Sequence, residues 1–116
     1  METVSVVHQS SGVGIGSSVA VAASWWQRLR GLLARPRLAR GEGLLLLECD
    51  SVHTVGMAYP IDVAFLDADG RVVRSIEGLA PWRLGLGGAE AVHTLELPPG
   101  RLEETGTVPG TRLIWS

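Results

Sequence analysis

The stretch CDSVHTVGMAYPIDVAFLDAD, residues 49–69, brings the chain's only thiol together with an imidazole, a hydroxyl and several carboxylates. Cys49 and His53 would make a nucleophile–base pair or half of a metal site. Both roles demand contact: ligands meet a zinc ion at about 2.0–2.3 Å, and a general base lies within about 3 Å of the proton it takes. Two residues four apart on an extended strand share a face but are separated by about 13 Å of backbone. Only a tight turn between Cys49 and His53 restores either chemistry. A thiol without an activating neighbour is mostly protonated at neutral pH, so a structural, partly buried Cys49 is the simpler expectation.

Asp62, Asp67 and Asp69 form a second group. Asp67 and Asp69 flank Ala68 in DADG, a tight-turn sequence in which Asp accepts backbone donors and Gly70 takes positive φ without steric cost. Turn chemistry accounts for both. A calcium loop would need further oxygen ligands, and the chain has Val73 and Ser75 where that pattern is weakest. Asp62 is different. It enters a β-prone run just after Pro60, on the face of Ala64 and Leu66. An unpaired carboxylate there is costly, so Asp62 either caps nearby backbone or sits at a rim where a ligand reaches it.

His93 and Glu96 share another run but alternate to opposite faces, His93 with Leu95 and Leu97, Glu96 with Val92 and Thr94. They cannot act as a pair through that run alone, and a hydrogen-bonded histidine on an apolar face is the expectation. Trp82 and Arg83 follow Pro81. Trp and Arg are typical recognition anchors, although a Trp at this place would equally serve to close the end of a barrel.

The elements that must position these residues are short. Residues 3–8 and 18–22 are β-prone, and SSGVGIGSS between them reads as a hairpin connection. Its glycines lack both the GxGxxG spacing and the strand-to-helix setting of a nucleotide loop. Ser24 and Gln27 form a capping box, and Trp25, Leu29, Leu32 and Leu33 then recur on one side until Pro36. Strands follow at 43–48 and 61–66, with a partner for the latter at 71–76. Residues 79–91 read as a long connection, 92–97 as a strand ended by Pro98-Pro99-Gly100, and 111–115 as a last strand. The expectation is one domain over residues 1–116, α+β but mostly β. It is a small barrel or sandwich of short strands with one amphipathic helix near residues 24–35.

Composition removes whole chemistries. The chain has no Lys and no Asn, which excludes a Schiff-base enzyme, a phosphate-binding P-loop and N-glycosylation acceptors. One cysteine excludes an internal disulfide or a multi-cysteine zinc site. A net charge of −2 gives no support to non-specific nucleic-acid binding. Five of the ten Arg nevertheless fall within residues 28–40, an Arg-rich segment that would suit an anion or simply a solvated face. The longest apolar run, Leu44–Leu47, is far short of the ~20 residues of a membrane span. With no leader pattern at Met1-Glu2-Thr3, a cytoplasmic location is expected.

The order of SWWQRLRGLL, HTVGMAYPIDVAFLDADGRVV, LAPWR, LELPPG and PGTRL resembles the bacterial and archaeal family catalogued as domain of unknown function 192. The resemblance spans about residues 18–115. Arg28, Gly31 and Leu32 fall on its R-x-x-G-L motif, and Thr54 and Met57 on T-x-x-M. Asp62, Phe65, Asp67 and Gly70 fall on D-x-x-F-x-D-x-x-G, and Glu96 and Gly100 on L-E-x-x-x-G. Around Met57 the family often carries F-M-K/R, where this chain has the smaller Gly56-Met57-Ala58. The resemblance implies a compact, mostly β fold and no established activity, with some relatives linked to pilus or secretion genes.

Taken together, the expectation is a small non-enzymatic binding or accessory module for a protein or small-molecule partner, without cofactor, metal or catalytic residues. Its contact rim would hold His53, Thr54, Met57, Asp62, Trp82 and Arg83. The first rival is a hydrolase or ligand-dependent enzyme using His53 and Asp62. The second is an anion-binding surface on the arginines of residues 28–40.

Overall fold

The computed structural model describes residues 2–24 and 37–116. The helix expected near residues 24–35 lies outside the described residues. Nine strands are described: β1 (Glu2–His8), β2 (Gly14–Ala22), β3 (Glu42–Leu46), β4 (Ser51–His53), β5 (Ile61–Leu66), β6 (Val72–Leu79), β7 (Leu84–Leu86), β8 (His93–Leu97) and β9 (Leu113–Trp115). A short helix, α1 (Arg101–Thr105), links the last two.

Seven strands form one sheet in the order β6-β5-β8-β3-β2-β1-β9, and β4 and β7 pair separately as a ribbon. β2 and β3 run parallel and are joined by a crossover, while the other pairs are antiparallel. The large sheet curls until its two ends meet at one corner. There Arg71 bridges Arg112, and Leu113 N donates to Gly70 O at 2.8 Å. The result is a half-barrel. Gly70 is required at this seam as well as in its turn: a Cβ on it would lie 2.4 Å from Leu113 O.

Alternation along the central strands supplies two cores. Leu45, Ala64, Leu66, Leu95 and Leu97 face into the curl, where Leu102 of α1 joins them. Leu44, Leu46, Ile61, Val63 and Phe65 face the other way and are covered by Val52, Met57 and Leu79. β5 is therefore buried on both faces, which is why IDVAFL reads as an almost unbroken apolar run.

The expected mostly β architecture and the 61–66/71–76 hairpin are present, with differences of detail. β2 begins at Gly14, because Gly14 and Gly16 pair with Val7 and Val6 across an irregular register. β6 extends to Leu79, and residues 84–86 form a strand within the expected connection. The helix after Pro98-Pro99-Gly100 has no local side-chain cap, so it leaves no capping signature in the sequence.

Candidate functional site

Thr54 is the knot from which the candidate site is built. Its amide donates to Arg83 O at 2.9 Å, and its carbonyl accepts from Trp82 N at 2.9 Å and Met57 N at 3.1 Å. Its hydroxyl donates to Ala80 O at 2.6 Å and accepts from Arg83 N at 2.8 Å. One buried threonine thus fastens residues 80–83 to the end of β4. Met57, three residues on, turns into the core beneath.

The ribbon grows from this knot. Ser51, Val52 and His53 pair with Leu86, Gly85 and Leu84. Opposed residues in an antiparallel pair share a face, so Val52 and Gly85 point toward the core while His53 and Leu84 point out. A Cβ on Gly85 would press to 3.1 Å from Ile76 Cδ1, and one on Gly87 to 2.7 Å from Phe65 Cδ1. The sequence L-G-L-G therefore lays its glycines flat on the core and turns Leu84 and Leu86 outward. Arg74 Nη1 holds the ribbon from the side by donating to Leu86 O.

The outward face is apolar. Trp82, Leu84 and Leu86 are 64%, 66% and 54% exposed, and Val55, just past the knot, is 46% exposed. These are four of the seven large apolar residues exposed among the described residues, gathered on one ribbon and its terminal loop. Trp82 also holds φ at 61°, a left-handed conformation uncommon for a bulky residue.

The six residues expected on one rim therefore divide. His53, Trp82 and Arg83 are exposed, while Thr54, Met57 and Asp62 are buried. Asp62 has no exposed surface; its Oδ1 accepts from Gly78 N at 2.9 Å and its Oδ2 from Leu102 N at 3.0 Å. Between a bulge in β6 and the start of α1, the carboxylate is occupied by backbone amides. Of the two readings open for Asp62, it performs the capping one.

Other chemistry-bearing residues are similarly engaged. Cys49 Sγ donates to Ser51 O at 3.1 Å, and Cys49 packs half-buried against the core. Asp67 Oδ1 accepts from Asp69 N and Arg71 N, both at 2.9 Å, as turn chemistry requires. His93 Nδ1 accepts from Glu48 N at 3.1 Å, and its ring meets Trp115 edge-on. Partial burial pulls this imidazole below the ordinary histidine range, against an opposing pull from Glu48. Among the described residues, no three of His, Cys, Asp and Glu converge on a space that would hold a metal ion.

Glu96 is the exception. It lies in β8 between Leu44 of β3 and Val63 of β5, on the apolar outer face of the sheet. Among the described residues its buried Oε2 has no hydrogen-bond partner. Burial pushes the carboxyl up to about 8, so it is largely protonated at neutral pH. Alternation placed Glu96 opposite His93, but the residue's burial had no local signal, since β8 is covered on both faces.

A curled sheet of seven strands with an apolar ribbon laid on its outer face defines the class of this protein. Residues 6–115 match the family model DUF192, described as "Uncharacterized ACR", and the chain belongs to that family. It is 33% identical over 114 residues to UPF0127 protein PH1112 of Pyrococcus horikoshii, covering 95% of this chain and 97% of that protein. A crystal structure from Sinorhizobium meliloti, described as "a putative transcription regulator", superposes with TM-score 0.82 at 25% identity. That likeness covers 98% of this chain and 92% of the other. A protein of unknown function from Novosphingobium aromaticivorans shares the fold with TM-score 0.79 at 20% identity, over 97% and 84% of the two chains.

The structure also gives physical reasons for the family motif positions. Thr54 ties two loops, Met57 and Phe65 fill the core, and Asp62 caps α1. Asp67 builds the turn, Gly70 permits the seam, and Gly100 takes φ of 87° before the helix. Glu96 has no such structural account.

Proposed function

We propose that this protein is a non-enzymatic binding module that docks an apolar segment of a partner protein on the β4–β7 ribbon. The observation that carries the reading is the inverted L-G-L-G strand, which gives its glycines to the core and its leucines to water. A strand laid on a core ordinarily does the reverse. Clustered exposed apolar residues mark contact surfaces. The left-handed Trp82, pinned through its amide to Thr54 O, keeps a large indole outside at a cost in backbone strain.

Arg83 brings a positive charge to this face and His53 a ring hydrogen-bonding group, so the fitting segment carries a carboxylate beside its apolar side chains. An accessory role in envelope or secretion machinery would use such a face. So would regulation of transcription through a protein partner; the Sinorhizobium protein is described as a transcription regulator. The hydrolase reading has less support: His53 is exposed at the end of β4, while both oxygens of Asp62 are held by backbone amides. The arginine-surface reading rests on residues largely outside the described ones. Of those described, Arg37 lies over the Tyr59 ring and Arg40 pairs with Glu104.

A photo-activatable residue placed at Leu84 tests the proposal in cells. A discrete protein adduct should form from position 84 and not from Val108, which is equally exposed but off the ribbon. Identical adducts from both positions would count against the ribbon as the docking face.

A further inference from the structure

A second surface, away from the ribbon, has the chemistry of an anion site. Arg71 and Arg112 face each other across the isolated bridge that closes the half-barrel. Residues opposed in an antiparallel bridge project their side chains to one side, and like charges placed so repel. Among the described residues neither guanidinium has a carboxylate within 4.0 Å. In the adjoining turn the Asp67 carboxylate is engaged by two amides.

Each guanidinium is held in place by a single backbone carbonyl. Arg71 Nη1 donates to Gly110 O at 2.9 Å, and Arg112 Nε donates to Asp69 O at 3.0 Å. Both side chains line an open groove of about 440 Å³, and each planar guanidinium keeps further N–H donors beyond that one bond. Gln9, Ser10 and Thr111 also line it. Thr111 Oγ1 accepts from Val108 N at 3.2 Å, so its own proton is available to a ligand.

We infer that this groove binds a phosphoryl group, as inorganic phosphate or as the head of a small phosphomonoester, between Arg71 and Arg112. Two arginines with no acid between them match a dianion better than a single carboxylate. The groove has room for an ester substituent beyond the phosphate itself.

The test titrates the full chain with inorganic phosphate and, separately, with phenyl phosphate, each against sodium chloride at matched ionic strength. Thermal unfolding and backbone amide resonances are followed. A rise in melting temperature beyond the salt control is expected, with shifts confined to amides near residues 8–10, 69–72 and 106–112. Arg71→Gln and Arg112→Gln should each weaken binding by about tenfold or more. Tighter binding of phenyl phosphate would identify an ester as the ligand, and equal binding the free ion. If a Gln variant does not fold, Arg71→Lys and Arg112→Lys keep the charge and should weaken binding less, because only the planar fork is lost. No response beyond salt, or amide shifts lying elsewhere, would overturn the inference.

Discussion

Asp62 and Leu102 are 40 positions apart in the chain, yet the Asp62 carboxylate accepts the Leu102 amide at 3.0 Å. A helix start leaves amides without intrahelical partners, and Gly100 at the cap position has no side chain to offer. A strand in the middle of the sheet supplies the missing acceptor. The same carboxylate takes Gly78 N, the amide freed where the β5–β6 register slips between Ile61 and Val63.

Asp62→Ala should therefore destabilise the fold by roughly 2–5 kcal/mol, since two amides lose their carboxylate acceptor at a fully buried residue. Urea unfolding followed by circular dichroism measures this. A neutral effect would show that Asp62 is not a structural clamp.

Gly78, beside this clamp, and Gly70, at the seam, should behave differently. Gly78 holds φ of 66° with nothing within 4 Å of a prospective Cβ, so Gly78→Ala carries only the left-handed penalty, about 1–2 kcal/mol. Gly70 holds φ of 83° and would also drive a Cβ to 2.4 Å from Leu113 O. Gly70→Ala should cost clearly more and open the seam, visible as faster amide exchange at Leu113.

Thr54→Val keeps shape but removes the hydroxyl that accepts Arg83 N and donates to Ala80 O. A loss of about 1–3 kcal/mol is expected, with Thr54→Ser close to wild type. Because the hydroxyl fastens Ala80 and Arg83 on either side of Trp82, the Val variant should weaken partner binding more than its stability loss explains.

Glu96 makes stability depend on pH. Its carboxyl is raised from 4.5 to about 8 by burial. Below pH 4.5 both folded and unfolded states are protonated and the favourable contribution is complete. Between there and about pH 8 the folded state keeps a proton the unfolded chain has released, so stability falls as pH rises. The total is roughly 3–5 kcal/mol. Glu96→Gln should flatten this profile, and Glu96→Met should be more stable than wild type at pH 8. A wild-type profile flat from pH 5 to 8 would contradict the burial account.

What could be read from the sequence was whatever is settled locally. DADG contains its own turn chemistry, and Asp67 uses it as expected. The partners of Asp62 lie in a distant loop and helix, so its environment could be narrowed to two readings without being decided. Residues 84–87 have alternate glycines that weaken strand propensity, and the ribbon forms because Val52 and the core beneath it select that conformation. Glu96 illustrates the same limit: alternation assigns a face, but whether that face meets water depends on what the rest of the chain lays over it.

On the proposed reading the ribbon face, not the buried motif residues, makes the contact. Its most direct test is to purify the partner recovered through position 84 and titrate it against wild type and the Trp82→Ala/Leu84→Ser variant. Both positions are exposed, so the variant's unfolding free energy should stay within about 0.5 kcal/mol of wild type. At least a roughly thirtyfold loss of affinity is expected, the scale of a lost hot spot. Unchanged affinity with unchanged stability would contradict it.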